Sequence, residues 1–276
     1  MPELPEVETI ARGLREGMGR GLPPLPGKRI VGVRLRWPGH IAVPAPRTFR
    51  RRIRGRTVLD VTRRGKYLAF ALDSGTLLIH LKMSGDLVLA SARDPRDRFE
   101  RTVFQLEDDL ELRFNDARKF GKIYLVDDPQ PVLGRLGPEP LDNGFTWKQL
   151  AQLLLGRRRP LKSLLLDQTF LAGVGNIYAD EALHRARLHP LRRSDSLSEA
   201  EVRRLWRGIR DALRSGLRHN GASLDWVYRG GDFQNHFRVY QRQGEPCLVC
   251  RTPITRLVIG QRSSHYCPVC QPEATR

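Results

Sequence analysis

Two groups of residues in this 276-residue chain have types and spacing suited to chemistry, one at each end. The opening MPELPEVET is the first. Removal of Met1 would leave Pro2 as a free secondary amine, which, unlike any interior backbone nitrogen, can attack a carbonyl carbon. The same residues also suit a plain helix start. Pro5 and Glu6 fit a first turn, and Val7, Ile10 and Leu14 recur at helical spacing. The opening alone leaves both readings standing.

The second group is Cys247-x2-Cys250 and Cys267-x2-Cys270, two pairs separated by sixteen residues. Four thiolates so arranged suit one tetrahedral zinc, each pair folding over a tight knuckle. Two disulfides are the alternative, and nothing in the chain points to an oxidising compartment. Between the pairs, TRLVIGQRSSHYC reads as a β-hairpin with Gly260, Gln261 and Arg262 at its tip.

These groups need a partner, and the composition names its charge. Forty-eight Lys+Arg against 30 Asp+Glu leave +18, with a pI near 10.7. Such self-repulsion is relieved by a polyanion, and an arginine-dominated surplus suits bidentate phosphate contacts better than diffuse membrane attraction. Aromatic residues are only 7%, too few for extended base-stacking platforms. There is no run of 18 apolar residues and no signal-peptide pattern. The expectation is a soluble intracellular protein that does not bind a membrane.

Two kinds of element must position the chemistry. From about Arg29 to Val126, segments such as TVLDVTRRGKYLAFAL and TVFQLEDDLELRF alternate apolar and polar residues between breaks. Strand following strand predicts antiparallel pairing in a sandwich or barrel. A proline- and glycine-rich stretch, DDPQPVLGRLGPEPLDNG, then reads as a linker, after which the period becomes helical. TWKQLAQLLL starts at a Thr cap. SEAEVRRLWRGIRDALRSGLRHNG opens on a Ser198/Glu201 capping box, buries Val202, Leu205, Ile209 and Leu213, and closes at Gly221. In LLLDQTFLAGVGNIYADEAL, Gly173 and Gly175 sit in a double turn before a helix beginning near Asn176, whose first amides suit an anion. A mere helix-packing turn is the rival reading.

Read together, MPELPEVET, RRGKYL at 63–68, HLKMSG at 80–85, DARKFG at 116–121, LGPEPL at 136–141, AGVGNIYADE at 172–181 and the four cysteines resemble the bacterial formamidopyrimidine-DNA glycosylase family, relatives of the endonuclease VIII-like enzymes. The resemblance covers essentially the whole chain. It implies an α+β multidomain fold: an N-terminal antiparallel β-sandwich with flanking helices (1–128), a linker (129–145), a helix-two-turn-helix domain (146–232) and a C-terminal β-hairpin zinc finger (233–276). Double-stranded damaged DNA would lie in the cleft between the halves of a monomer holding one structural zinc.

The resemblance also implies roles. Pro2 is the nucleophile and Glu3 the proton donor and general acid/base. Lys66 works at the active site, and Met83, Arg118 and Phe120 form the wedge filling the hole left by an extruded base. Lys119, Lys162, Asn176 and Arg262 hold phosphates, Arg262 also assisting the second elimination, with Arg101 and Arg157 as further DNA contacts. Departures from the family pattern are visible too. Phe99 and Arg101 stand where histidines are usual, ARK replaces an arginine pair, and ASLDWVYRGGDFQNHFRVY is short for a loop that covers an oxidised purine. Met83 and Phe120 could instead be strand-core residues, and Lys66 an ordinary surface residue. The competing functions are an oxidised-pyrimidine enzyme of the endonuclease VIII type and a non-catalytic zinc DNA-binding protein.

Overall fold

The computed structural model describes residues 1–17, 21–224 and 230–273. It separates into two compact units, one of Met1–Arg135 with Ser223–Gly231, the other of Leu136–Ala222 with Asp232–Arg276. The chain thus breaks inside the expected linker, which itself carries a one-turn helix.

In the first unit, helix α1 (Leu4–Glu16) precedes two sheets. One has the order β1 (Ile30–Leu35), β7 (Glu100–Leu106), β8 (Leu110–Asp116), β6 (Gly85–Ser91), all antiparallel. The other runs β2 (Ile41–Val43), β9 (Lys122–Val126), β5 (Thr76–His80), β4 (Tyr67–Leu72), β3 (Val58–Arg64). Alternation sends Leu87, Phe104 and Phe114 from the first sheet, and Val61, Phe70 and Ile79 from the second, into one core. Val7 and Leu14 of α1 join that core, as do Phe49 and Ile53 of α2 (Pro46–Ile53).

Two local expectations change. The β2–β9 pair is parallel, because α2 and later strands intervene between them and free the pairing from hairpin geometry. The 29–126 stretch is also not strands alone. Pro46 starts α2, and burial of Phe49 and Ile53 stabilises its two turns. Helix α3 (Gln130–Leu133) closes the unit.

The second unit is built on α4 (Trp147–Leu154), α5 (Leu161–Leu165), α6 (Asn176–Ala186) and α7 (Glu199–Arg218). Thr146 and Ser198 cap α4 and α7 through capping boxes, as their sequences predict. Helix α7 lies close on α6 because Gly208 has no side chain. A Cβ there would sit 2.6 Å from the Ala182 carbonyl oxygen. The hairpin of β10 (Thr255–Ile259) and β11 (Arg262–Tyr266) turns through Gly260 and Gln261, both at positive φ, as a two-residue hairpin turn requires. Among the described residues, no helix is long and apolar enough to cross a membrane.

Candidate active site and its supporting networks

Pro2 and Glu3 are buried at the head of α1. Glu3 is the N-cap, in extended conformation, and its N–H donates to Glu6 Oε2 at 2.8 Å, so Glu6 locks the first turn. Across the helix, Glu8 pairs with Arg63 at 2.9 Å and Arg15 donates to the Val61 carbonyl at 3.3 Å. Helix α1 therefore runs against the direction of β3 and points its N-terminal end at the Gly65–Lys66 turn that follows. Lys66 is only 4% exposed, which rules out an ordinary surface role.

His80 stands near this lysine. Burial first, then the positive charges of Lys82 and Lys66, lower its pKa to about 3, so the ring is neutral. Its Nδ1 accepts the Lys82 N–H at 2.9 Å, which leaves the proton on Nε2. Tyr67, edge-on to that ring at 4.6 Å, is pushed up to about 12, chiefly by burial. The positive charges beside this neutral ring are those of Lys82 and Lys66, while Glu3 and Glu6 are the carboxylates buried at the α1 start.

Met83, Arg118 and Phe120, the residues expected to form a wedge, lie on two loops, and one buried carboxylate joins those loops. Asp116 Oδ1 accepts from Ser84 Oγ at 2.5 Å and from the Arg118 N–H at 3.2 Å, while Oδ2 accepts from the Gly121 N–H at 2.8 Å. Behind it, His40 Nε2 approaches Oδ2 at 3.2 Å and its Nδ1 lies 3.2 Å from Thr102 Oγ1, with no part of His40 exposed. Burial alone would raise the Asp116 pKa, but hydrogen bonds from His40, Ser84 and Gly121 outweigh it and hold it at about 2. Gly121 must be glycine, since a Cβ would meet the Phe114 ring at 2.4 Å.

Held at both ends, the ARKF loop projects outward. Phe120 is 50% exposed, with the Arg118 guanidinium 5.0 Å from its ring centre, and Met83 is half-buried beside Ser84. Phe120 is therefore no core residue. Lys119, at φ 62°, lays its ammonium 4.6 Å from the Trp37 ring, a partner that sequence reading missed. Arg101 gives Nε to the Asp116 carbonyl at 3.1 Å and Nη1 to that of Arg98 at 3.3 Å, bracing this loop from below.

Replacing Asp116 with Asn tests the hub. The native carboxylate's depressed pKa contributes about 2 kcal/mol of stability at neutral pH. That contribution is present above the unfolded pKa near 4 and is lost as pH falls through about 2. Asp116→Asn is therefore expected to be less stable in urea unfolding at pH 7, with the gap reduced to about half at pH 3. A gap of equal size at both pH values would contradict the assignment.

In the second unit, α6 is the organising element. Nine of its eleven residues are buried, so its polar side chains must find internal partners. Asp180 Oδ1 accepts from Lys162 Nζ at 2.7 Å and Ser264 Oγ at 2.7 Å, and Oδ2 accepts the His265 N–H at 2.9 Å. Glu181 Oε1 takes the backbone N–H groups of Arg238, Val239 and Tyr240 at 2.9, 2.9 and 3.1 Å. The hairpin bearing Arg262 is thus fastened to α6 through residues two and three positions beyond it, and Arg262 itself is exposed.

One expectation fails here. Lys162 does not offer its ammonium to a phosphate: it is fully buried, bonded to Asp180 and, at 2.8 Å, to the Asn176 carbonyl. A lysine in an apolar interior needs a carboxylate, and Asp180 supplies it. Nor is the double turn open, since residues 172–175 are buried. Gln168 clasps it, accepting the Gly173 N–H at 2.9 Å and donating to the Val174 carbonyl at 2.8 Å. Gly173 needs its positive φ of 84°, whereas Gly175 is extended. Asn176 opens α6 half-buried, its Oδ1 enclosed without a hydrogen-bond partner. Arg157 is half-buried, with Nε on the Leu153 carbonyl at 3.0 Å. Part of the short covering segment, residues 225–229, lies outside the described residues.

The four cysteines are free thiols whose sulfurs all lie within 4.8 Å of one another. Sulfur separations of 3.3, 3.5 and 3.9 Å bracket the roughly 3.8 Å edge of a tetrahedron with Zn–S bonds of about 2.3 Å. Backbone N–H groups of Val249 and Cys270 point at Cys247 and Cys267 sulfurs at 3.4 Å each, as in a zinc knuckle. His184 of α6 adds Nε2 at 3.6 Å from Cys247 Sγ. Burial, then Arg238 and Arg185, lower its pKa to about 4, so a neutral ring can donate to the thiolate. The site fits one structural zinc.

A β-sandwich headed by a buried Pro-Glu helix start, a helical unit with a glycine-rich double turn, and a four-cysteine hairpin define a class of DNA-processing enzyme. Residues 1–123 match the formamidopyrimidine-DNA glycosylase N-terminal domain, 136–227 the H2TH domain of the same proteins, and 244–272 a zinc finger found in FPG and IleRS. The formamidopyrimidine-DNA glycosylase of Herpetosiphon aurantiacus is 44% identical over 98% of this chain and 100% of its own. That of Roseiflexus sp. is 46% identical, with 98% and 100% covered. A Lactococcus lactis FPG variant in complex with Fapy-dG-containing DNA superposes with a TM-score of 0.90 at 32% identity, covering 99% of this chain and 100% of that one. The chain belongs to the formamidopyrimidine-DNA glycosylase family.

Proposed function

We propose that this protein excises oxidised purines, formamidopyrimidines and 8-oxoguanine, from double-stranded DNA and then nicks the abasic strand by β,δ-elimination. It does so as a monomer, on nucleoid DNA in the cytoplasm. The observation that carries the reading is the buried Pro2–Glu3 pair, at a helix N-terminus directed toward the turn of a buried lysine, in a chain 44% identical to a formamidopyrimidine-DNA glycosylase over 98% of its length.

The Pro2 nitrogen, freed of Met1, attacks C1′ of the damaged nucleotide, and Glu3 protonates the sugar ring oxygen as the ring opens and the base departs. Because the amine is secondary, the resulting iminium has no N–H proton to lose and stays cationic. It draws electrons from the C2′–H bond, so a proton leaves C2′ and the 3′ phosphate departs, followed by the 5′ phosphate. Lys66 and the α1 N-terminus hold the phosphate–sugar unit. Arg262, at the zinc-hairpin tip, holds a phosphate and assists the second elimination. Extruding the base costs a few kcal/mol, which Met83, Arg118 and Phe120 recover in part by filling the gap.

Borohydride trapping on duplexes carrying an 8-oxoguanine, an oxidised pyrimidine or no lesion tests this reading. Trapping is expected fastest with the purine. Preference for the pyrimidine would favour the endonuclease VIII type, and no trapping at all would leave a binding protein. Phe120→Ala is expected to slow excision from duplex DNA while sparing cleavage of pre-made abasic sites, which need little unstacking. Equal losses on both would contradict the wedge role.

A further inference from the structure

A second cluster of metal-binding side chains lies apart from the cysteines. His219 directly follows the last residue of α7. The Asp232 N–H donates to the His219 carbonyl at 2.9 Å, and the Phe233 N–H to that of Gly221 at 2.9 Å. These two bonds bring the end of α7 against a short 3₁₀ turn, Phe233–His236. Asp232 caps this turn and His236 ends it. Asp232 Oδ2 and His236 Nε2 are 3.2 Å apart, and the His219 and His236 rings stack at 3.6 Å. One ligand atom from each of the three residues falls within 4.8 Å of the others.

We propose that His219, Asp232 and His236 form a second divalent transition-metal site, taking zinc or cobalt(II). The donor set, two imidazoles and a carboxylate, is the one such ions prefer over calcium or magnesium. With metal–ligand bonds of about 2.0–2.1 Å, a tetrahedral ion needs donor atoms roughly 3.3 Å apart. Asp232 and His236 already meet that spacing. The other carboxylate oxygen, Oδ1, accepts Asn235 Nδ2 at 2.5 Å, which fixes the plane of the carboxylate as outer-shell partners do in metal sites. Side chains of Asp232 and His236 are 60% and 43% exposed, so water completes the shell and the ion exchanges with solvent. This distinguishes the site from the closed four-thiolate centre.

The test uses untagged protein carrying its structural zinc. Titration with zinc under equilibrium dialysis is expected to load a second equivalent. Cobalt(II) added to the same protein is expected to give d–d absorption without thiolate charge transfer. His236→Gln and His219→Ala should each weaken the second equivalent by at least roughly 10–100-fold while keeping the first. Asp232→Asn, which preserves the cap shape, should do the same, so that loss of the site is separable from loss of the turn. Saturation at one zinc per chain would overturn the proposal. So would a second equivalent that survives all three substitutions, or a cobalt spectrum dominated by thiolate.

Discussion

A protein that retains Met1, or carries any residue ahead of Pro2, is expected to form no borohydride-trappable adduct with damaged DNA. The reason is electronic. With a residue ahead of it, the Pro2 nitrogen is an amide whose lone pair is delocalised into a carbonyl, so it is neither basic nor nucleophilic. Freed, it is an α-amino group with an ordinary pKa of about 7.7–8.0, and a useful fraction is neutral near pH 7. A lysine would need strong desolvation to match that. The comparison is between protein with processed and unprocessed N-termini, measured by mass spectrometry, on one abasic duplex and one lesion duplex. Specific binding should survive in both, because phosphate contacts do not need the amine. A fully active protein shown to retain an N-terminal extension would refute the nucleophile assignment.

Glu3→Gln is expected to separate the two halves of the reaction. Base excision requires the sugar ring oxygen to accept a proton while C1′ gains positive charge, and general-acid help of this kind is worth about 10²–10⁴-fold. A pre-made abasic site already exists in part as the open aldehyde, to which the amine adds without that help. The variant should scarcely release damaged bases yet still trap on, and nick, abasic DNA. Gln keeps the length of the side chain, and the Glu3 N–H that binds Glu6 is untouched, so the helix start should persist. Single-turnover rates on the two substrates decide the matter. Parallel loss of both activities would mean that Glu3 serves the amine chemistry itself, and the division of labour between Pro2 and Glu3 would fail.

Much of this protein is written locally. The caps at Thr146 and Ser198, the hairpin turn at Gly260–Gln261, the alternation of the sandwich strands and the start of α6 at Asn176 each depend on residues within one turn or one strand of each other. Local periodicity and cap chemistry therefore expose them. The zinc ligands were legible for a related reason, since a knuckle needs its two cysteines at fixed short spacing. Composition alone pointed to a polyanion, because net charge needs no fold to be counted.

What the tertiary structure decided are the partners of buried polar groups. Lys162 reads as one more basic residue of a phosphate-binding surface until Asp180, eighteen positions on, is seen to hold it inside. Asp116 looks like part of a turn, yet it joins the Ser84 loop, 32 residues away, to the loop of Arg118 and Phe120, with His40 packed behind. The two carboxylates of α6 lie adjacent in sequence but clamp segments 57–59 and 84–85 residues distant, and the second of these clamps, made by Asp180, holds the hairpin that carries Arg262. A charged side chain has the same pattern in sequence whether it meets water or a counterion in the core. Only burial, which makes an unpaired charge costly, decides which, and burial is a property of the whole fold.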